Sequence, residues 1–177
     1  MKTCALYGFI WALAGAFLTL ILYFTGFHSD AAKLGTAGWI GGLGGLAVAI
    51  ACLTIGIKAR REETPPAAEF GYGAALWAGV LISIVSGVLT SLFTFVYWSF
   101  INPGFADVVV QDQVSKLEAR GVTGDGLDKA EAMTKVMAAP LPQTVIALIF
   151  VVLFGTVIAL VVAAFVKRPV PGTPPTM

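Results

Sequence analysis

The residues able to do chemistry in this chain are few, and their spacing assembles no site. The one histidine, His28, stands beside Ser29 and Asp30. Three consecutive residues cannot adopt the geometry of a nucleophilic triad, and no nucleophile elbow surrounds Ser29. One imidazole and one carboxylate fall short of a metal's ligand set, so His28 and Asp30 read as a solvated surface pair. The run Gly124-Asp125-Gly126-Leu127-Asp128 lacks the alternating oxygens and the terminal glutamate of a calcium loop. Cys4 and Cys52 make neither a disulfide framework nor a four-ligand site, and read as small apolar residues. Ser83, Ser86, Thr90, Ser91 and Thr94 could line a narrow pore, but such hydroxyls more often bond their own helix backbone. No catalytic residue, cofactor or metal is assigned.

The elements that carry these residues explain the scarcity. Of 177 residues, 58% are hydrophobic and 12% charged, against about 25% charged in a soluble domain. Residues 3–29, 34–57, 70–106 and 136–166 carry no formal charge. Each stretch holds the ~20 apolar residues that cross a ~30 Å hydrocarbon core as a helix. The prediction is an all-α polytopic membrane protein with spans over 5–23, 35–57, 74–98 and 143–166. These form one transmembrane domain over residues 1–168, followed by a disordered tail over 169–177. The first apolar run outlasts a signal peptide's core and has no Ala-x-Ala site beside it, so it reads as a retained span. Eleven basic against ten acidic residues leave no bulk charge to bind nucleic acid. No Asp, Glu, Lys, Arg or His falls inside a predicted span, which argues against an ion-coupled carrier.

Sidedness follows from lysine and arginine near the span ends. Lys2, Lys58, Arg60, Arg61, Lys167 and Arg168 fall on one side, and Lys33 lies alone in the short opposite link. This places both termini in the cytoplasm of a bacterial inner membrane, with the 26–34 and 100–141 links outside. Tyr23, Phe24, Phe27, Tyr97, Trp98 and Phe100 then fall at the outer interface as aromatic anchors.

Lipid tails are as apolar as leucine, so spans associate by close packing through small residues. In span 2, Gly38/Gly42 and Gly41/Gly45 lie on adjacent faces, which predicts a central helix approached from more than one side. In span 3, Ala75, Gly79, Ser83, Gly87 and Ser91 recur every fourth residue as a packing stripe. Gly8, Ala12 and Ala16 in span 1, and Gly155, Ala159 and Ala163 in span 4, repeat the pattern.

The 100–141 link is the one segment large enough to carry a distinctive surface. Asn102-Pro103-Gly104 turns the chain. Val110, Val114 and Leu117 then share one helical face, as do Leu127, Met133 and Met137 after the turn at 121–126. The result is an extracytoplasmic helical hairpin with an apolar face as a candidate partner surface.

The boundary Gly56-Ile57-Lys58-Ala59-Arg60-Arg61, the run Phe70-Gly71-Tyr72-Gly73-Ala74-Ala75, and Tyr97-Trp98 followed by Asn102-Pro103-Gly104-Phe105 carry a resemblance. The chain resembles an uncharacterised family of bacterial four-span membrane proteins known only as domain of unknown function 4199. The resemblance runs over about residues 3–168. It departs at Thr64-Pro65-Pro66-Ala67-Ala68, where the family more often has a polar, glycine-containing stretch. It implies the four-span architecture and supplies no activity. The expectation is a non-enzymatic accessory protein with three candidate partners: the lipid bilayer, a second copy of itself, or another membrane protein. The alternative is a small oligomeric transporter or channel for an uncharged solute.

Overall fold

The computed structural model describes residues 1–65 and 68–168. Six helices make up the described chain: α1 (Lys2–Phe24), α2 (Leu34–Glu62), α3 (Tyr72–Val96), α4 (Phe105–Glu118), α5 (Asp125–Met137) and α6 (Pro140–Val166). A 3₁₀ turn, Ala31–Lys33, leads into α2, and a π turn, Tyr97–Ile101, extends α3. The fold is all-α. Four helical segments, built on α1, α2, α3 and α6, are long and apolar enough to cross a membrane. α4 and α5 form the helical hairpin between the third and fourth of them. The tail over 169–177 lies outside the described residues, as do Pro66 and Ala67 in the 64–68 stretch.

Local chemistry sets the ends of these elements. Arg60 and Arg61 close α2 and complement the partial negative charge of its C-terminus. Asp125 and Asp128 open α5, and Lys135 closes it. The turn between α4 and α5 uses Gly121 and Gly124, both at positive φ, where a Cβ would be strained. Pro140 opens α6 at the position where a missing N–H removes no helical bond.

The chain divides into two compact units. The first takes Met1–Ala14, Leu46–Leu89 and the chain from Ile149 onward. Its core gathers Trp11, Leu53, Ile57, Ala75, Ala78, Ile82, Ala159 and Ala163, with Cys4 and Cys52 also buried. Small residues let backbones meet here. A Cβ on Gly8 would stand 2.7 Å from Val85, and one on Gly56 would stand 2.7 Å from Ile82. One on Gly79 would stand 2.5 Å from the Ala159 Cβ, and one on Gly155 would stand 2.8 Å from the Ser83 Cβ and from Trp11. Helix α3 is party to all four contacts and so is the packing centre of this unit. The span 2 glycines other than Gly56 precede Leu46 and belong to the other unit.

Two arginines tie off the same unit. Arg61 Nη1 donates to the Val166 carbonyl at 3.1 Å. Arg168 Nη2 lies within hydrogen-bond reach of the carbonyls of Thr64, Pro65 and Ala68 (3.1, 2.9 and 3.2 Å). Arg168 and Phe70 also exchange backbone hydrogen bonds at 2.8 and 3.1 Å. These contacts satisfy carbonyls that a helix end and a loop would otherwise leave open.

The second unit takes Gly15–Gly45 and Thr90–Leu148. Here α1 meets the start of α2 through Leu18 against Gly44, where an added Cβ would stand 2.9 Å from the leucine. Helix α4 packs on α5 and on the 3₁₀ turn.

Candidate functional site

The second unit holds a buried polar cluster centred on Tyr97, the first residue of the π turn. A π turn widens the helix by one residue and often marks a functional position. Here it is closed by the Asn102 N–H donating to the Tyr97 carbonyl at 2.8 Å. The Tyr97 side chain is 2% exposed. Its hydroxyl lies 2.7 Å from His28 Nδ1 and receives a hydrogen bond from Asn102 Nδ2 at 3.1 Å. Asn102 Nδ2 also donates to the His28 carbonyl at 3.5 Å, which fixes which way the amide faces.

Asn102 donates to the phenol oxygen, which leaves the phenol proton free to point at His28 Nδ1. A neutral imidazole that accepts this proton carries its own on Nε2. Rings enclose the pair. Phe105, at the start of α4, lies 4.6 Å from the His28 ring and 5.8 Å from the Tyr97 ring. Tyr23 and Phe93 each lie 6.0 Å from Tyr97, and Trp98 lies 4.9 Å from Phe105. The cluster thus joins α1, the first link, the π turn and α4. It roots the hairpin.

This overturns the reading of His28 and Asp30 as a solvated surface pair. His28 is buried. Asp30 faces the other way, capping the 3₁₀ turn through the Ala32 N–H at 3.0 Å and pairing with Lys33 at 3.5 Å. Sequence reasoning treated Tyr97 as an interface anchor and Asn102 as a turn residue. The usable signal was a histidine set in an aromatic-rich neighbourhood beside an uncharged span.

Burial pushes the His28 imidazole below the ordinary histidine range. The folded protein therefore refuses a proton that the unfolded chain accepts. Stability from the neutral imidazole is complete above the unfolded pKa near 6.5. It falls as pH drops through that value toward the lower folded one. Thermal unfolding in detergent should then occur at lower temperature at about pH 5.5 than at about pH 7.5. His28→Gln should reduce that dependence, and an unchanged pH profile in the variant would refute the assignment.

The remaining candidate residues have different fates. Ala75, Gly79, Ser83, Gly87 and Ser91 are all buried. The Ser83 hydroxyl donates to the Gly79 carbonyl at 2.9 Å, and Ser86 Oγ is buried without a hydrogen-bond partner. Thr90 and Thr94 are half-buried. In α2, Gly41 approaches Leu22, whereas a Cβ added at Gly38, Gly42 or Gly45 would meet nothing within 4 Å. In the hairpin, Val110 is buried and Val114, Leu117 and Leu127 are half-buried, whereas Met133 and Met137 are exposed.

A cleft of about 520 Å³ lies between Ser29–Ala32 and the α4 residues Gln111, Asp112, Ser115, Lys116 and Ala119. Its charged groups are already engaged, with Lys116 bonded to Asp112 at 2.6 Å. Among the described residues, no group of three or more histidine, cysteine, aspartate and glutamate side chains gathers to hold a metal.

A family model matches residues 6–168, described as a protein of unknown function, DUF4199. The chain belongs to the DUF4199 family. No curated protein and no solved structure matches it. The match takes in the hairpin and all four apolar helices except the first residues of α1. The Tyr97 cluster falls inside the matched region. The family description supplies no activity, and the geometry alone must carry the functional argument.

Proposed function

We propose that this DUF4199 member is a non-enzymatic accessory protein of a bacterial inner membrane that works by binding another membrane helix. The observation that carries the reading is an open glycine face on α2. Gly35, Gly38, Gly42 and Gly45 follow one another at spacings of three, four and three. None would bring an added Cβ within 4 Å of another atom. Beside them, Trp39 is 73% exposed and Leu43 is 61% exposed. Glycine in a helix interior destabilises by roughly 0.5–1 kcal/mol relative to alanine. In a membrane such faces let a second backbone approach closely. The occupant is a second copy of the chain or another membrane protein. The charge pattern of Lys2, Lys58, Arg60, Arg61, Lys167 and Arg168 supports cytoplasmic termini.

The transporter reading has less support. It needs a hydrated path past Ser83, Ser86, Thr90, Ser91 and Thr94, of which the three serines are buried and the two threonines half-buried.

Purification from native membranes after crosslinking tests the proposal. Gly42→Leu should abolish a crosslinked partner or dimer without lowering the melting temperature of the chain, because a Cβ at 42 meets nothing within 4 Å. A wild-type chain that crosslinks to nothing and runs as a monomer would sink the proposal.

A further inference from the structure

Helix α5 presents an apolar face that the hairpin does not use. Leu127, Ala130 and Thr134 are half-buried where α4 packs on α5. Met133, Val136 and Met137 share an adjoining face, and the first two are 69% and 66% exposed. Asp128, Glu131 and Lys135 fall opposite at helical spacing, with Glu131 and Lys135 paired at 2.7 Å. We propose that the Met133–Val136–Met137 face lies in the phospholipid headgroup layer on the hairpin side of the membrane, so that α5 rests on the bilayer.

The junction with α6 identifies the occupant. Only Ala138 and Ala139 separate the two helices, and Gln143 Nε2 donates to the Met137 carbonyl at 2.9 Å. The last turn of α5 is therefore held within a side chain's reach of the first turn of α6. Helix α6 has 27 residues, about 40 Å at 1.5 Å per residue. This exceeds the ~30 Å hydrocarbon core, so its end turns lie among headgroups. Within the same unit, Leu141 and Val145 are exposed on α6, where lipid must cover them. Met133 and Met137 lie one turn apart on α5, as do Leu141 and Val145 on α6, so an uncovered apolar face lies on each side of the short junction. Lys129 lies one turn before Met133 on the same sector, where its stem can follow the apolar surface while its ammonium meets phosphate. An apolar face with charges opposite suits a helix seated at this boundary.

Spin labels placed in the full-length protein, reconstituted in phosphatidylcholine–phosphatidylglycerol vesicles, test the proposal. Met133→Cys, Val136→Cys, Met137→Cys, Asp128→Cys and Lys135→Cys would each be labelled after replacing Cys4 and Cys52 with alanine. If that background does not fold, the native one serves, because Cys4 and Cys52 are buried. Accessibility to oxygen relative to a water-soluble nickel chelate should be several-fold higher at 133, 136 and 137 than at 128 and 135. Chelate access at all five positions would overturn the proposal by placing α5 in water. Exclusion of both reagents from 133, 136 and 137 would also overturn it, because protein would then cover the face. The outcome is independent of whether α2 binds a partner.

Discussion

Gly155→Leu should unseat α6 from α3 and leave the chain unable to hold its native packing in detergent. In the first unit, any Cβ at 155 would stand 2.8 Å from both the Ser83 Cβ and Trp11. The same seam continues at Gly79, where a Cβ would meet Ala159. The Trp11 atom is the tip of a buried indole, but the Ser83 and Ala159 Cβ atoms are fixed to their backbones. Ser83 is fully buried and bonded to Gly79, and Ala159 has no rotamer to change. The helices must separate, which strips dispersion contacts along the whole seam. Overpacking of this kind costs about 3 kcal/mol at the upper end of the usual range. A bilayer offers no hydrophobic drive between helices to offset it. The measurement is the fraction folded on titrating a denaturing detergent into a mild one. Gly79→Ala should shift the midpoint in the same direction by less. Gly38→Ala is the matched control, because its Cβ meets open space, and it should leave the midpoint unchanged or raise it slightly. Equal effects at 155 and 38 would show that glycine flexibility, rather than close approach, is what matters.

The second large effect belongs to Tyr97. Tyr97→Ala removes a ring that contacts Tyr23, His28, Phe93 and Phe105, and truncation of a buried aromatic costs about 3–5 kcal/mol. Tyr97→Phe separates the ring from its hydroxyl. It keeps the packing but leaves His28 Nδ1 without a donor and Asn102 Nδ2 without its nearer acceptor, a loss of about 1–3 kcal/mol. The readout is amide hydrogen exchange in α4, because Phe105 connects that helix to the cluster. Exchange should rise in α4 for both variants, more for alanine, while the α3–α6 seam in the first unit stays protected. If Tyr97→Phe leaves α4 exchange at the wild-type level, the hydrogen bonds are not what roots the hairpin.

The spans and the hairpin were legible in the sequence because both rest on local information. A long apolar run is spaced by the bilayer itself, and the hairpin is punctuated by Pro103, Gly104, Gly121 and Gly124. The residues of the stripe from Ala75 to Ser91 are buried, and a four-residue period can be read without knowledge of its partner. For α2, glycine spacing says that a backbone can be approached, not what approaches it. Gly44 and Gly56 meet neighbours while Gly38 and Gly42 do not, and composition cannot separate them. The buried cluster was hidden for a different reason. His28 and Tyr97 are 69 residues apart, and their meeting depends on how the first link folds back. Adjacent in sequence, Asp30 drew the attention that belonged to Tyr97.

The π turn, Tyr97–Ile101, also sets a rotational phase. His28 touches Tyr97 at the start of the turn and Phe105 shortly after its end. A regular helix advances about 100° per residue, so the extra residue in the wide turn sets the direction in which the chain leaves α3. Wound as regular helix, the same five residues, Tyr97–Ile101, would turn everything beyond them by about that angle. Phe105 could not then reach the imidazole while Tyr97 stayed in place. The wide turn therefore acts as a key that aligns two contacts on one ring, and through Phe105 it sets the heading of the hairpin.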